Sequence, residues 1–295
     1  MDYSEKVNTV FEQWKNKNIP KLKDIAVDDK PKKLIHELSE DLLQAFSNLK
    51  LIDKYDIYQH LMVYWSETMQ DDVYILVDDE WEAGREIEKQ EKKKEWEGRL
   101  IPKELIIARY FAVEREAIEK LEANRDEIIR QIEEMEEEHG GEEGLMADAK
   151  NDKDKITKVS VQKRLKELTA DNGQLTFENE EEIKILQDYL KLSEQEAEAN
   201  KKIKEAQDAL EKKVLGKYKA LTEDEIKTLV VEDKWMATLE RDVKTEMERI
   251  SQRLAGRIKE LAERYATPMP LLTADVDSLE KKVHAHLKKM GFVWK

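Results

Sequence analysis

From Met236 to Tyr265 the residues Met236, Leu239, Val243, Met247, Ile250, Leu254, Ile258, Leu261 and Tyr265 stand three or four positions apart, and nearly everything between them is charged or polar. A strand needs a period of two and a loop needs none, so this spacing specifies an α-helix with one apolar stripe. Its start is equally well written. Thr222 and Glu225 form a Thr-x-x-Glu capping box, and Leu221 with Ile226 supplies the flanking hydrophobic staple. The same arithmetic extends over much of the chain. Ile106, Tyr110, Val113, Ala117, Leu121, Asn124, Ile128, Ile132 and Met135 follow an eleven-residue pattern after Pro102, a good first helical residue. That helix is expected to stop at "EEEHGGEEG", with Gly140 and Gly141 available for a left-handed cap. Another long helix is expected over Glu178–Leu215, with Ile183, Leu186, Leu190 and Ala197 and then Ile203, Ala206 and Leu210 on its stripe, ended by Gly216. It and the helix after Thr222 should be antiparallel neighbours, each on the order of 60 Å long at about 1.5 Å per residue. On that placement Leu254→Asp or Leu261→Asp is expected to unfold or detach the hairpin, by burying a charge.

The N-terminal third is less regular. Val7, Val10, Phe11 and Trp14 mark a helix over Tyr3–Asn16, and a Lys-rich linker follows it. Leu34, Ile35, Leu38, Leu42, Ala45 and Phe46 mark a second helix, and Ile57, Leu61, Trp65 and Met69 a third. "VYILV" at Val73–Val77 is the only strand-like text, and Trp81–Leu100 suits a small hairpin around "EKQEKKKEWEG" better than the alternative, a poor helix. A short helix around Val161, Leu165 and Leu168 leads to the turn "ADNG". "TPMP" precedes a last helix carrying Val276, Leu279, Val283, Leu287 and Met290, which ends at Gly291 and "FVWK". The fold class is therefore mainly α: a helical head with a small β element, plus long antiparallel helical hairpins of coiled-coil type. The expected divisions are 1–101, 102–176 and 177–295.

Composition narrows the function. Of 295 residues 40% are charged, with only 9 Gly and 5 Pro, the signature of long helices. A net charge of -15 repels phosphate over most of the surface and argues against a stand-alone nucleic-acid binder. With no cysteine there is no disulfide, thiolate nucleophile or cysteine-ligated zinc. No apolar run approaches membrane-spanning length and the first residues lack a leader pattern, so a soluble cytoplasmic protein is expected. His284 and His286 are two apart on a helix and point to different sides; His139 sits at a glycine helix stop. Asp71, Asp72, Asp78 and Asp79 have the chemistry for Mg²⁺ but read better as caps and solvated loop acids. No P-loop, nucleophile elbow or Gly-x-Gly after a strand is present, so no catalytic, cofactor or metal residue is assigned. Two sets remain. Lys15, Lys17, Lys21, Lys23, Lys30, Lys32 and Lys33 form a basic patch suited to DNA phosphate or to simple solvation. Tyr55, Tyr58, Tyr64 and Trp65 form an aromatic cluster ringed by Asp53, Asp56, Glu67, Asp71 and Asp72, which suits packing against a partner or another domain better than base stacking.

Several long segments resemble one family. "PKKLIHELSEDLLQAF", "LIDKYDIYQHLMVYWSETMQDDVYILVDDEW", "LIPKELIIARYFAVE", "EEEHGGEEGL", "YKALTEDEIKTLVVEDKW", "GRIKELAERYATPMP" and "KKVHAHLKKMGFVWK" are similar, in order, to the C-terminal region of the modification (M) subunit of type I restriction–modification systems. The resemblance implies a part in N6-adenine methylation of DNA with S-adenosylmethionine, carried out by an N-terminal Rossmann-like domain with a glycine motif and an Asn-Pro-Pro-aromatic motif. Neither motif occurs here, so none of the family's catalytic residues maps onto this sequence. The expected role is a helical docking arm on the specificity (S) subunit. A second M subunit, the restriction (R) subunit and DNA would be met through the assembled complex. Met1 then stands either at a truncated start or at the start of one piece of a methyltransferase completed in trans; a self-standing coiled-coil scaffold is the remaining alternative.

Overall fold

The computed structural model describes residues 3–89, 96–142, 144–151, 153–170, 177–266 and 269–292. The chain runs through α1 (Tyr3–Lys23), α2 (Pro31–Ala45), α3 (Lys54–Tyr64) and α4 (Gln70–Asp79), then a two-stranded antiparallel pair, β1 (Ile87–Lys89) and β2 (Trp96–Gly98). There follow α5 (Lys103–Tyr110), α6 (Ala112–His139), α7 (Lys158–Ala170), α8 (Phe177–Ala220), α9 (Glu223–Lys227), α10 (Ala237–Arg264) and α11 (Met269–Lys289). The protein is mainly α with one small β element, as the sequence predicts. The hairpin tip at 90–95, the turn after Ala170, the start of "TPMP" and the last three residues lie outside the described residues.

The chain forms two units, 1–80 with 231–295, and 81–230. In the first, α1 buries Val7, Phe11, Trp14 and Leu22, and α2 contributes Leu38 and Leu42. The Trp14 indole N–H donates to the Leu38 carbonyl at 3.3 Å. The helix does not stop at Asn16: the 3–4 spacing continues through Asn18 and Leu22 to buried Ile25, and that burial carries it through Pro20 and the Lys-rich stretch read as a linker. The strand expectation for Val73–Val77 is also overturned. A single helical path runs from Lys54 to Asp79, burying Ile57, Leu61, Trp65, Met69, Val73 and Leu76. Four consecutive four-residue steps would drift by about 40° each around an ideal α-helix. A π turn over Trp65–Met69, in which the Gln70 N–H bonds to the Trp65 carbonyl, takes up that drift and holds the stripe on the core. The core is completed by the returning chain, with Trp235, Met236, Leu239, Val243 and Ile250 buried and α10 packed on α3.

In the second unit α6 and α8 form the long antiparallel hairpin. Lys213 meets Glu114 at 2.9 Å, Gln207 meets Glu122 at 3.2 Å, and the Tyr189 hydroxyl donates to Glu136 at 2.9 Å, so one helix descends as the other rises. The hairpin predicted from the sequence paired the helix at 178–215 with the one that follows it; those two belong to different units, and the partner of α8 is the preceding long helix. Gly216 does not end α8, because Val214, Tyr218 and Leu221 continue the buried stripe past it. The stripe on α6 is also differently phased. The chain breaks helix at Phe111 (φ -131°, ψ 30°), so the count begun at Ile106 does not carry over. Ile118, Leu121, Arg125, Ile128, Ile132 and Met135 face inward at heptad spacing, whereas Val113 is 77% exposed and Ala117 and Asn124 point outward. A seven-residue repeat gives a left-handed crossing instead of the straight stripe of an eleven-residue one.

The far end of this hairpin is plugged by Met146, Ala149, Val161, Leu186 and Tyr189. Gly140 caps α6 in the right-handed region (φ -87°) instead of a left-handed one, its N–H bonding to the Glu136 carbonyl at 2.9 Å while the Met146 N–H takes that of His139 at 2.8 Å. At the near end β1 pairs with β2, Ile87 opposite Gly98, and a Cβ at Gly98 would fall on the Ile101 carbonyl and the Tyr218 ring. The capping box of Thr222 and Glu225 is formed, with the Thr222 N–H on Glu225 at 2.9 Å and the Glu225 N–H on Thr222 Oγ1 at 3.3 Å. Leu221 and Ile226 are both buried beside it.

Candidate functional site

The aromatic cluster does not assemble on the surface. Trp65 is in the core, Tyr64 is half-buried with its hydroxyl donating to the Lys234 carbonyl at 3.3 Å, Tyr58 is half-buried, and Tyr55 is 61% exposed. Burial pushes the Tyr64 phenol well above its ordinary value. The acids thought to surround a possible cation behave differently from one another. Asp72 is buried, with Lys234 Nζ at 2.7 Å and the Trp235 indole N–H donating at 2.8 Å. Burial raises its carboxyl above the ordinary value, and Lys234 and Trp235 oppose that shift. This network ties α4 to the returning chain within the first unit. It was legible in principle, since Asp72 shares the 4-3-4 spacing of Trp65, Met69 and Leu76. Lys234 and Trp235 were missed because Trp235 lies one place outside the stripe counted from Met236.

The lysine patch is distributed among carboxylates. Lys15 pairs with Glu12 and Glu240, Lys17 and Lys21 share Asp41 at 2.8 and 3.3 Å, Lys23 pairs with Glu232, and Lys33 reaches Glu37 at 3.7 Å. Lys32 is exposed at the first turn of α2. Paired in this way the lysines present little uncompensated charge to a phosphate. Among the described residues no cluster of three His, Asp or Glu side chains is placed to hold a metal ion, and no helix is long and apolar enough to cross a membrane.

What the first unit does present is an uncovered stripe. Along α10 the pattern Leu239, Val243, Ile250 is buried, but Leu254 is 48% and Ile258 59% exposed, and Tyr265 is exposed with them. The same sequence period thus changes from core to surface partway along one helix. A groove of about 300 Å³ lined by Tyr3, Leu51, Ile52, Met247, Ile250 and Leu254 marks where the stripe leaves the core. The Asp substitutions expected to unfold a hairpin therefore fall on surface or half-buried positions. Beyond it α11 buries no residue, and Val276, Leu279 and Val283 lie on its open face. An apolar ridge of this length on a charged helix is unusual, since isolated exposed hydrophobes are common but contiguous rows are not.

No protein-family model, curated protein or solved structure matches this chain.

Proposed function

We propose that this chain is the non-catalytic C-terminal assembly region of the modification subunit of a type I restriction–modification methyltransferase. On this reading it docks on the specificity subunit, and S-adenosylmethionine-dependent N6-adenine methylation belongs to a separate catalytic domain. The ordered sequence segments similar to that family motivate the identity. One structural observation carries the role: the stripe on α10 continues beyond Ile250 as Leu254, Ile258, Leu261 and Tyr265 after the core has ended. A helix that keeps apolar residues in register where it has nothing of its own to bury supports a helix-in-groove or helix–helix contact with a partner. Restriction subunits, the second modification subunit and DNA would be reached through that assembly.

Co-purification with the cognate specificity subunit tests the proposal. The parent chain should co-elute at micromolar concentration, and the Leu254→Asp/Leu261→Asp variant should elute separately while keeping the parent's circular dichroism melt. Separate elution of the parent, or co-elution of the variant, would sink the reading.

A further inference from the structure

The uncovered end of α10 carries a second row beside its apolar one. Each residue of the stripe there is preceded by an ionised one: Arg253 before Leu254, Arg257 before Ile258, Glu260 before Leu261 and Arg264 before Tyr265. One place along an α-helix is about 100° round its axis, so these four stand together on one flank of the stripe. The opposite flank, one place later, holds Ala255 and Ala262, with Lys259 between them. All of these flanking side chains are exposed. Glu260 is shared, pairing with Arg257 and, at 3.0 Å, with Arg264. Arg253 meets no carboxylate among the described residues. Three arginines against one glutamate leave two positive charges uncancelled, on a chain whose net charge is -15. Lys15, Lys17, Lys21 and Lys23 differ in this respect, since each of them ends on a carboxylate of its own fold.

Each part of this arrangement narrows the partner. The row of Leu254, Ile258, Leu261 and Tyr265 gains from apolar cover, which a phosphate backbone does not give. Charges beside such a row select which helix lies on it and reject others by like-charge repulsion. An arginine lays its stem along the apolar surface and presents a flat, two-pronged donor that fits a carboxylate. The alanines let a covering helix come closer on their side. We infer that the face from Arg253 to Tyr265 receives an amphipathic α-helix of another protein. Carboxylates along one flank of that helix lie opposite Arg253, Arg257 and Arg264, and bulkier side chains cover Ala255 and Ala262. The inference rests on the assembly role proposed above and states the chemistry of the helix that the specificity subunit would bring.

Two synthetic helices test it against the full chain. Each has about four heptads with Leu and Ile on one stripe, and the positions along one flank are Glu in the first and Lys in the second. Fluorescence anisotropy should show the Glu helix binding about tenfold more tightly, as three exposed ion pairs allow, with the difference shrinking as salt is raised. Leu254→Asp/Leu261→Asp should weaken both helices alike. Arg253→Gln/Arg257→Gln/Arg264→Gln should erase the preference, and Arg253→Glu/Arg257→Glu/Arg264→Glu should reverse it, each with the parent's circular dichroism. The neutral variant carries the test if the reversed one misfolds. Equal binding of the two helices, binding of neither, or a preference indifferent to the arginines overturns the inference. Displacement of the Glu helix by duplex DNA overturns it too, by assigning the row to phosphate, as does a parent dimer that the Glu helix dissociates, by assigning it to a second copy. Competition by the cognate specificity subunit is read separately. Displacement of the Glu helix supports both readings; no displacement, with the preference intact, removes that subunit as the partner and leaves the chemistry of the face standing.

Discussion

At Asp72 a carboxylate, an ammonium and an indole meet inside the first unit, and their removal has unequal costs. Asp72→Ala withdraws the buried carboxylate from the half-buried Lys234 ammonium and from the Trp235 N–H, which costs about 3 kcal/mol, the lower end for broken buried pairs, because Lys234 keeps some contact with water. Urea denaturation should show that loss, whereas Asp71→Ala, one place along on the exposed side of α4, should change the midpoint little. Glu225 gives a pH dependence. The Lys217 ammonium at 2.6 Å, the Thr222 N–H and the Tyr110 hydroxyl hold its carboxyl down at about 2, against an ordinary 4.5. A depressed carboxyl contributes stability that is complete above 4.5 and is lost as pH falls toward 2. Glu225→Gln should therefore cost roughly 1–2 kcal/mol at pH 7, after allowance for partial exposure, and almost nothing near pH 2. Paired melts of parent and variant at the two pH values check the sign. Asn18 adds a smaller case. Its Nδ2 donates to the Trp14 carbonyl at 3.0 Å, but its buried Oδ1 has no partner among the described residues. Asn18→Leu, which keeps the branched shape at greater bulk, should raise stability by about 1 kcal/mol where the core accommodates the added methyl volume, because an unsatisfied buried acceptor is removed.

Elements were read well where one period ran unbroken and badly where something local reset it. The α10 stripe was legible residue by residue, as were the capping box at Thr222 and the stop at Gly291. Val73–Val77 misled because β-branched composition was weighed above the three-residue step from Val73 to Leu76, and because the π turn that preserves the stripe leaves no compositional mark. Phe111 interrupts the helix with no Gly or Pro to announce it, so the α6 stripe was right at Leu121, Ile128, Ile132 and Met135 but wrong at Val113, Ala117 and Asn124. Gly216 shows the opposite error, a breaker residue overridden by burial on both sides of it. That error carries a prediction. Gly216 is in a helix interior, and among the described residues nothing lies within 4 Å of where its Cβ would sit. Gly216→Ala should then stabilise the second unit by about 0.5–1 kcal/mol, the ordinary helix-interior penalty of glycine. Unchanged or lower stability in a thermal melt would count against an open helix-interior setting for this glycine. Of the candidate sites, the uncovered ridge was visible as periodicity, but which half of α10 is core depends on where α3 ends against it, and no local pattern records that.

Across the whole chain, the discontinuous first unit makes the C-terminal segment two different things. Trp235, Met236, Leu239, Val243 and Ile250 close the core begun by α1–α4, and at 1.5–3 kcal/mol per buried side chain they supply roughly 8–15 kcal/mol as an upper estimate. That equals the entire net stability of an ordinary domain, about 5–15 kcal/mol. A chain ended after residue 230 should therefore lose the cooperative melt of the first unit, although residues 1–80 are intact. A chain ended after residue 266 removes only α11, of which no residue is buried. It should keep the parent's melt. Calorimetry of the three chains separates the part of the C-terminus that builds the fold from the part that does not; a lower melting temperature for the chain ended after residue 266 would mean that α11 is packed on the first unit.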